Sequence, residues 1–478
     1  MLAPMTRARM GGDGFGWARA ATPWALALLL GGLGCGDSTP DTPRDAGAQM
    51  DADAGADLDA GGDAGSSEAL EVEVLGEGEE PFDGRTHRYL LLRLERAGHV
   101  SYAQWCEPDE GVRARSPVVV QTRPYAGIDW TGEALDARWA ALGDGQHPDV
   151  DGPAYDPETS SPIAYAAASP RRVVEDGMLY LLNGVPTLSI FGRFYAGGGP
   201  EDDIADMLVG LAYLGERDDV DPARIGVVGG SWGGFEAVYL TARAPAALRP
   251  RLTLALYPLT DFEAEWRFTD ALAALEGPRR DEYVAFFEPY RRRIAADTGG
   301  GPPEGDFSGL GHADLALDVP ILTAHDAEDT LVPFSMAEDF AAAFDVTPLT
   351  FRQPEPADPA VLPPSHGASM AEHALSVYTV LLGRFLAELL PPDEPVLLAG
   401  DGPAFAAMLG QLRAQADRGQ PLDALPELLA ALLAERVSVF DTSTGMLVPG
   451  ARFVSDGFNA AWGTAHTPET LGDALSAL

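Results

Sequence analysis

The chain has 478 residues, 46% of them apolar, enough for a large buried core, and a formal net charge of −41. All 32 basic residues are arginine, a matter of genome composition rather than function. So acidic a surface repels phosphate backbones and anionic membranes, which argues against a nucleic-acid partner. Two cysteines, Cys35 and Cys106, allow at most one disulfide and exclude a disulfide scaffold.

Taken in chain order, the first segment carries Arg7, Arg9 and Arg19 and then the apolar stretch "WALALLLGGLG" (24–34). That stretch is shorter than the roughly 20 residues a bilayer-spanning helix needs, so residues 1–34 read as a secretory signal. It ends in "GLGC", which resembles the cleavage box of bacterial lipoproteins and implies lipid attachment at Cys35, although Gly32 stands where that box has leucine and Leu33 where it has a small residue. The competing reading is an ordinary export signal with Cys35 incidental. Residues 35–68 are almost wholly Asp, Ala, Gly, Ser, Thr and Pro, too polar and too charged to bury anything. They read as a self-repelling tether that holds a folded domain off a membrane. The expectation is an exported protein in the bacterial envelope, touching membrane only through a lipid at Cys35, with Cys106 left as a free thiol.

From residue 69 to about 390, short apolar runs alternate with helical patterns, the signature of an α/β fold with a mostly parallel sheet and helices on both faces. The expected strands are "RYLLLRL" (88–94), "PVVVQT" (117–122), "VPTLSIF" (185–191), "RIGVVGG" (224–230), "RLTLALY" (251–257), "VPILTAH" (319–325) and "PLTFRQ" (348–353). Residues 201–217 place Ile204, Met207, Leu208, Leu211 and Leu214 at helical spacing, with acidic residues in the first turn where the helix dipole favours them. Two further helices are expected, one from Trp232 and one from about Met370.

Between a strand and a helix stands "GGSWG", Gly229 to Gly233, a G-x-S-x-G motif in the context that gives it chemical meaning. A sharp turn from strand to helix lifts the Ser231 hydroxyl above the sheet. The glycines two residues before and after keep side chains out of the close approach. A P-loop is the alternative for a glycine-rich turn, but the stretch has no lysine and the wrong glycine spacing. A serine nucleophile needs a base and an orienting carboxylate, expected in the order serine, acid, histidine. The loop after "VPILTAH" offers Asp326, Glu328 and Asp329, and "LPPSHGAS" (362–369) offers His366. His373 falls inside the following helix and His325 at a strand end, where structural roles are the ordinary expectation.

The phrases "DPARIGVVGGSWGGF", "AHDAEDTLVP" and "SHG" resemble the catalytic domain of the prolyl oligopeptidase family of serine hydrolases, over about residues 115–390. "VVVQTRPYAGIDW" and "FGRFYAGGG" are similar to the X-Pro dipeptidyl peptidase and cocaine esterase branch. The resemblance implies an α/β-hydrolase fold and a triad of Ser231, Asp329 and His366, with Asp326 standing where the family has glycine. It implies oxyanion donors in the backbone N–H of Trp232 and in Tyr125, and no metal or other cofactor.

Substrate is the least legible part: a small ester or peptide. Residues 263–318 form a helical insertion placed to serve as a lid, and its Trp266, Tyr283, Phe286, Phe287 and Tyr290 suit either a pocket wall or helix packing. The stretch between tether and first core strands is no longer than one propeller blade of about 40–50 residues, so no multi-blade propeller precedes the hydrolase. Without that size filter, ester or general acyl hydrolysis is expected ahead of peptidase action. A binding lipoprotein that kept the fold and lost activity is the third reading. Residues 391–478 read as a mainly helical extension that either covers the hydrolase or docks elsewhere.

Overall fold

The computed structural model describes residues 69–82, 85–123, 173–174, 176–192, 200–273, 319–326, 329, 332–344, 349–351, 368–419, 422 and 424–475. Nine strands form the main sheet: β1 (Glu71–Phe82), β2 (Arg85–Arg96), β3 (His99–Cys106), β4 (Ser116–Arg123), β5 (Thr187–Phe191), β6 (Val220–Gly230), β7 (Leu252–Leu256), β8 (Ile321–Asp326) and β9 (Leu349–Phe351). Their spatial order is β1-β2-β3-β5-β4-β6-β7-β8-β9. The pairings β1–β2, β2–β3 and β3–β5 are antiparallel, and every pairing from β5 through β9 is parallel. This is the α/β-hydrolase arrangement, antiparallel at one edge, parallel beyond it, with a single exchange of β4 and β5. Each of the seven apolar runs singled out in the sequence overlaps a strand.

Parallel strands covered on both faces must be apolar at successive positions, and β4 shows why. Val119 enters one core with Val228 and Leu254; Val118 and Val120 enter the opposite core with Val227, Leu188 and Ile190. Two strands were not anticipated. β1, "EVEVLGEGEEPF", is too polar and glycine-rich to register as an apolar run, and it is the edge of the sheet. β3, "HVSYAQWC", buries six successive residues, but Ser101 and Gln104 among them break its hydrophobic pattern.

The helices are α1 (Met178–Leu182), α2 (Pro200–Gly215), α3 (Trp232–Arg243), α4 (Phe262–Ala273), α5 (Ser335–Phe344) and α6 (Ala368–Leu389). On α2, Ile204, Met207, Leu211 and Leu214 are buried as their spacing requires. Helix α6 departs from the amphipathic norm. Residues 376–383 are buried without a break, followed by Phe385, Leu386 and Leu389, so this helix lacks a solvated face over that stretch. A helix apolar all round needs cover on two sides. One side is the sheet, through Leu252, Leu254 and Leu256; the other is the segment after Pro391.

That segment holds β10 (Val396–Gly400), α7 (Gly402–Asp417), α8 (Leu425–Leu432), β11 (Val437–Asp441), β12 (Met446–Pro449), α9 (Gly450–Trp462) and α10 (Pro468–Leu475). It therefore contains a three-stranded sheet, β10-β11-β12, in addition to helices. Phe405, Leu409, Leu429, Leu432 and Val439 share one core with α6. Two polar devices fix the junction. The Asn183 side chain completes the edge of β10, donating to the Leu397 carbonyl and accepting from the Leu397 N–H, both at 2.7 Å. Arg436 donates to the carbonyls of Ala387 at 2.7 Å and Pro391 at 2.5 Å, satisfying orphan acceptors where α6 ends.

Of residues 263–318, the structure describes the part within α4, where Trp266 packs against the core that holds Phe235 and Phe262. Tyr283, Phe286, Phe287 and Tyr290 lie outside the described residues, as do the signal, Cys35 and the tether. Cys106 is buried with a free thiol, which burial pushes up to about 11.

Candidate active site

The site begins where β6 meets α3. Ser231 is the N-cap of α3 and has φ 56°, ψ −122°, a backbone conformation that a side chain ordinarily avoids. Three hydrogen bonds hold it there. Its N–H donates to the Leu256 carbonyl at 2.9 Å, and its own carbonyl accepts from Phe235 at 3.1 Å and Leu259 at 3.3 Å. The flanking glycines are required by contact. A Cβ on Gly229 would overlap the Gly233 carbonyl and the Thr122 hydroxyl, and one on Gly233 would lie 2.7 Å from the Thr122 carbonyl. Thr122, at the end of β4, closes the corner: its hydroxyl donates to the Gly233 carbonyl at 2.6 Å. The turn thus raises Ser231 at the carboxyl end of the sheet and aims the amino end of α3 past it.

Trp232, the next residue, is fixed by a hydrogen bond and by two ring contacts. Its indole Nε1 donates to Asp203 Oδ2 at 2.7 Å, and its ring meets Phe235 and Phe262 edge-on, each with centroids 5.3 Å apart. Asp203 is one of three fully buried carboxyls behind the elbow, with Asp206 and Glu236. Asp206 pairs with His99 at 2.7 Å. Gly192, which follows β5, makes room for the group: a Cβ there would lie 2.7 Å from both Asp203 Cγ and Glu236 Oε1. Burial, and then the charges of Asp203 and Asp206, push the Glu236 carboxyl well above the usual carboxylate range. Asp203 and Asp206 look in the sequence like ordinary acidic decoration of a helix start. The packing of α2 against β3 and α3 is what buries them.

The acid loop follows β8. Asp326, the last residue of β8, is fully buried. The Asp329 N–H donates to the Asp326 carbonyl at 3.2 Å, and Asp329 Oδ1 accepts from the Val332 N–H at 2.9 Å. His325 Nε2 donates to the Val332 carbonyl at 3.0 Å, bonding its own loop, and stands 3.8 Å from Asp329 Oδ2. Tyr257, just past β7, joins loop to elbow. A Cβ on Gly230 would lie 3.1 Å from its hydroxyl, and its ring is edge-on to that of His325 at 6.4 Å. Burial and then the Asp329 charge push the Tyr257 phenol up. Ser231 and Asp329 therefore stand at the carboxyl ends of strands separated only by β7, with Tyr257 between them.

Glu328, His366 and Tyr125 lie outside the described residues, as does the side chain of His373. Tyr125 comes two residues after β4, whose end is pinned by the buried ion pair of Arg123 with Asp176 at 2.9 Å. His366 comes two residues before α6. Sequence reasoning passed over Thr122, Asp203, Glu236 and Tyr257, since none carries a motif.

No family model matches the chain, and no curated protein matches it. Among solved structures it is similar to an acetyl xylan esterase from Paenibacillus sp. R4, at 15% identity over 64% of this chain and 88% of that one, with a TM-score of 0.37. A puromycin hydrolase is similar at 18% identity over 67% of this chain and only 39% of its own, with a TM-score of 0.35. A thermostable carboxylesterase cloned from a metagenomic library is similar at 14% identity over 67% and 92% of the two chains, with a TM-score of 0.38. At such identities and scores these likenesses carry no argument, and the fold rests on the strand order.

Two measurements test this geometry. If Ser231 holds a strained backbone, Ser231→Gly will be more stable than Ser231→Ala by about 1–3 kcal/mol in denaturant unfolding, because glycine accepts the positive φ without cost. Equal midpoints would remove the strain. For Glu236, a carboxyl whose folded pKa is raised contributes stability that is complete below the usual carboxylate range and is lost as pH rises toward the folded value. Glu236→Gln, neutral throughout, should therefore gain on the wild type in thermal midpoint as pH rises from about 4 to 8. Parallel curves would mean that Glu236 does not titrate in this way.

Proposed function

We propose that this protein is a serine hydrolase that cleaves acyl esters or amides through Ser231, Asp329 and His366. The observation that carries the reading is the backbone of Ser231, a residue other than glycine held at positive φ on a strand-to-helix corner, with glycines where side chains would collide. Such strain persists where it positions a group for chemistry. In the mechanism, His366 takes the proton from Ser231 Oγ as the oxygen attacks the carbonyl carbon. Asp329, its Oδ1 already held by the Val332 N–H, orients the imidazole and stabilises the imidazolium. The Trp232 N–H and the Tyr125 hydroxyl donate to the oxyanion, each worth about 2.7–4 kcal/mol in the transition state. The leaving group departs with the proton from His366, and water, deprotonated by the same imidazole, releases the acyl group.

Ester hydrolysis is the first choice of reaction and amide hydrolysis of the peptidase type the second. The third reading, a binding protein without activity, would leave the strained Ser231 without a task. The test is a fluorophosphonate probe: the wild type labels, Ser231→Ala does not, and His366→Ala labels at least about a hundredfold more slowly. Equal labelling of wild type and Ser231→Ala would end the catalytic reading.

The same proposal places the enzyme outside the cytoplasm, tethered through a lipid on Cys35 and spaced from the membrane by residues 36–68. The apolar stretch ending at the cysteine, followed by a polar, predominantly acidic spacer, supports it. In the native host, radiolabelled palmitate should enter the wild type and not Cys35→Ala. Label entering both equally, or neither, would sink the anchor.

A further inference from the structure

The buried acid left over by this mechanism is Glu265. It lies in the first turn of α4, is 1% exposed, and its Oε2 makes no hydrogen bond. Its helix is laid against the nucleophile corner, for Phe262, one turn earlier, meets the rings of Trp232 at 5.3 Å and Phe235 at 4.9 Å. On the other side Glu265 feels Asp329, whose charge adds to burial in holding the Glu265 carboxyl well above the usual carboxylate range. The arginine nearest in sequence, Arg267, is exposed and pairs with Glu263. Glu265 thus stands on a helix packed against the elbow and feels the charge of the acid loop, and among the described residues no cation answers it.

A buried acid with an unmade hydrogen bond costs about 1–3 kcal/mol and calls for a compensating role. A structural role is the simplest: a neutral carboxyl filling space or bonding Asp329. The geometry does not favour it, since no hydrogen bond joins the two carboxyls and an amide or apolar side chain would fill the space without the cost. A cation arriving from outside changes the balance. It would pair with Glu265 in a site with little water, draw the carboxyl into its ionised form, and offset the repulsion from Asp329.

On this basis, and resting on the serine-hydrolase reading above, we propose that Glu265 determines specificity by receiving a cationic group of the substrate, a primary ammonium or a guanidinium on the acyl part. The substrates are then esters or amides of basic acyl groups.

The experiment uses p-nitrophenyl esters of ω-amino acids of increasing length, each paired with the neutral alkanoyl ester of equal size. Assays run at about 0.15 M salt, where the overall acidic charge is screened beyond about 8 Å. At one length or more the wild type should favour the amino ester by about tenfold or more in kcat/KM, and in Glu265→Gln the ratio should fall to about one. Because the ratio is taken within each variant, a general loss of activity cancels. A wild type without preference at any length overturns the proposal, and so does a preference that survives in Glu265→Gln. Should that variant not fold, hexylammonium must inhibit wild-type hydrolysis of the neutral ester about tenfold more strongly than 1-hexanol; equal inhibition overturns the proposal. Failure to hydrolyse either ester, together with no fluorophosphonate labelling, would instead refute the hydrolase reading and this inference with it.

Discussion

The close approach of β4 to the start of α3 is the constraint on which the rest depends. Thr122 can donate to the Gly233 carbonyl at 2.6 Å only because Gly229 and Gly233 carry no side chains, and that bond holds the chain in its turn at Ser231. Once the corner is set, the directions of α3, of the Trp232 indole and of the Ser231 hydroxyl are no longer free. The strain at Ser231 is local. What opposes it is spread over the N–H to Leu256, the packing of Trp232 with Phe262, and the burial of α3 on one face of the sheet.

A second theme is the use of acids in the interior of a protein whose surface is already acidic. Asp203, Asp206, Glu236, Glu265, Asp326 and Asp329 are all buried around the carboxyl ends of the strands. Burying a carboxylate is unfavourable unless a donor meets it or it takes a proton. Both solutions occur here. Asp203 has an indole N–H, Asp206 a histidine and Asp329 a backbone N–H, while burial and the Asp203 charge push the Glu236 carboxyl toward its neutral form.

The segment after Pro391 is part of the same packing problem. Helix α6 presents Val377, Leu381, Leu382, Phe385 and Leu386 around much of its circumference, more than one face of a sheet can cover. The small three-stranded module supplies the second cover, and Asn183 and Arg436 give the joint its register through hydrogen bonds that only one placement satisfies. Since α6 begins two residues after His366, the module braces the helix that follows the expected base.

Much of this was legible in the sequence. Six of the seven strands legible as apolar runs, β4 to β9, lie in the parallel part of the sheet, where cover on both faces calls for apolar residues at successive positions, as Val118 to Val120 are. The corner at Ser231 was legible for a similar reason: a close backbone approach admits only glycine, and the glycines are at fixed offsets. The polar strands β1 and β3 were not legible, since what makes β3 a strand is pairing with β2 and β5 rather than its own pattern. Nor were the roles of Asp203, Glu236 and Glu265. An acid in the first turn of a helix looks the same whether water or protein surrounds it, and only packing against a distant strand or loop decides which. Composition and spacing thus determined the class of fold and the strand-to-helix corner at Ser231. Tertiary structure decided which carboxyls are buried, because burial is a property of neighbours brought together from far along the chain.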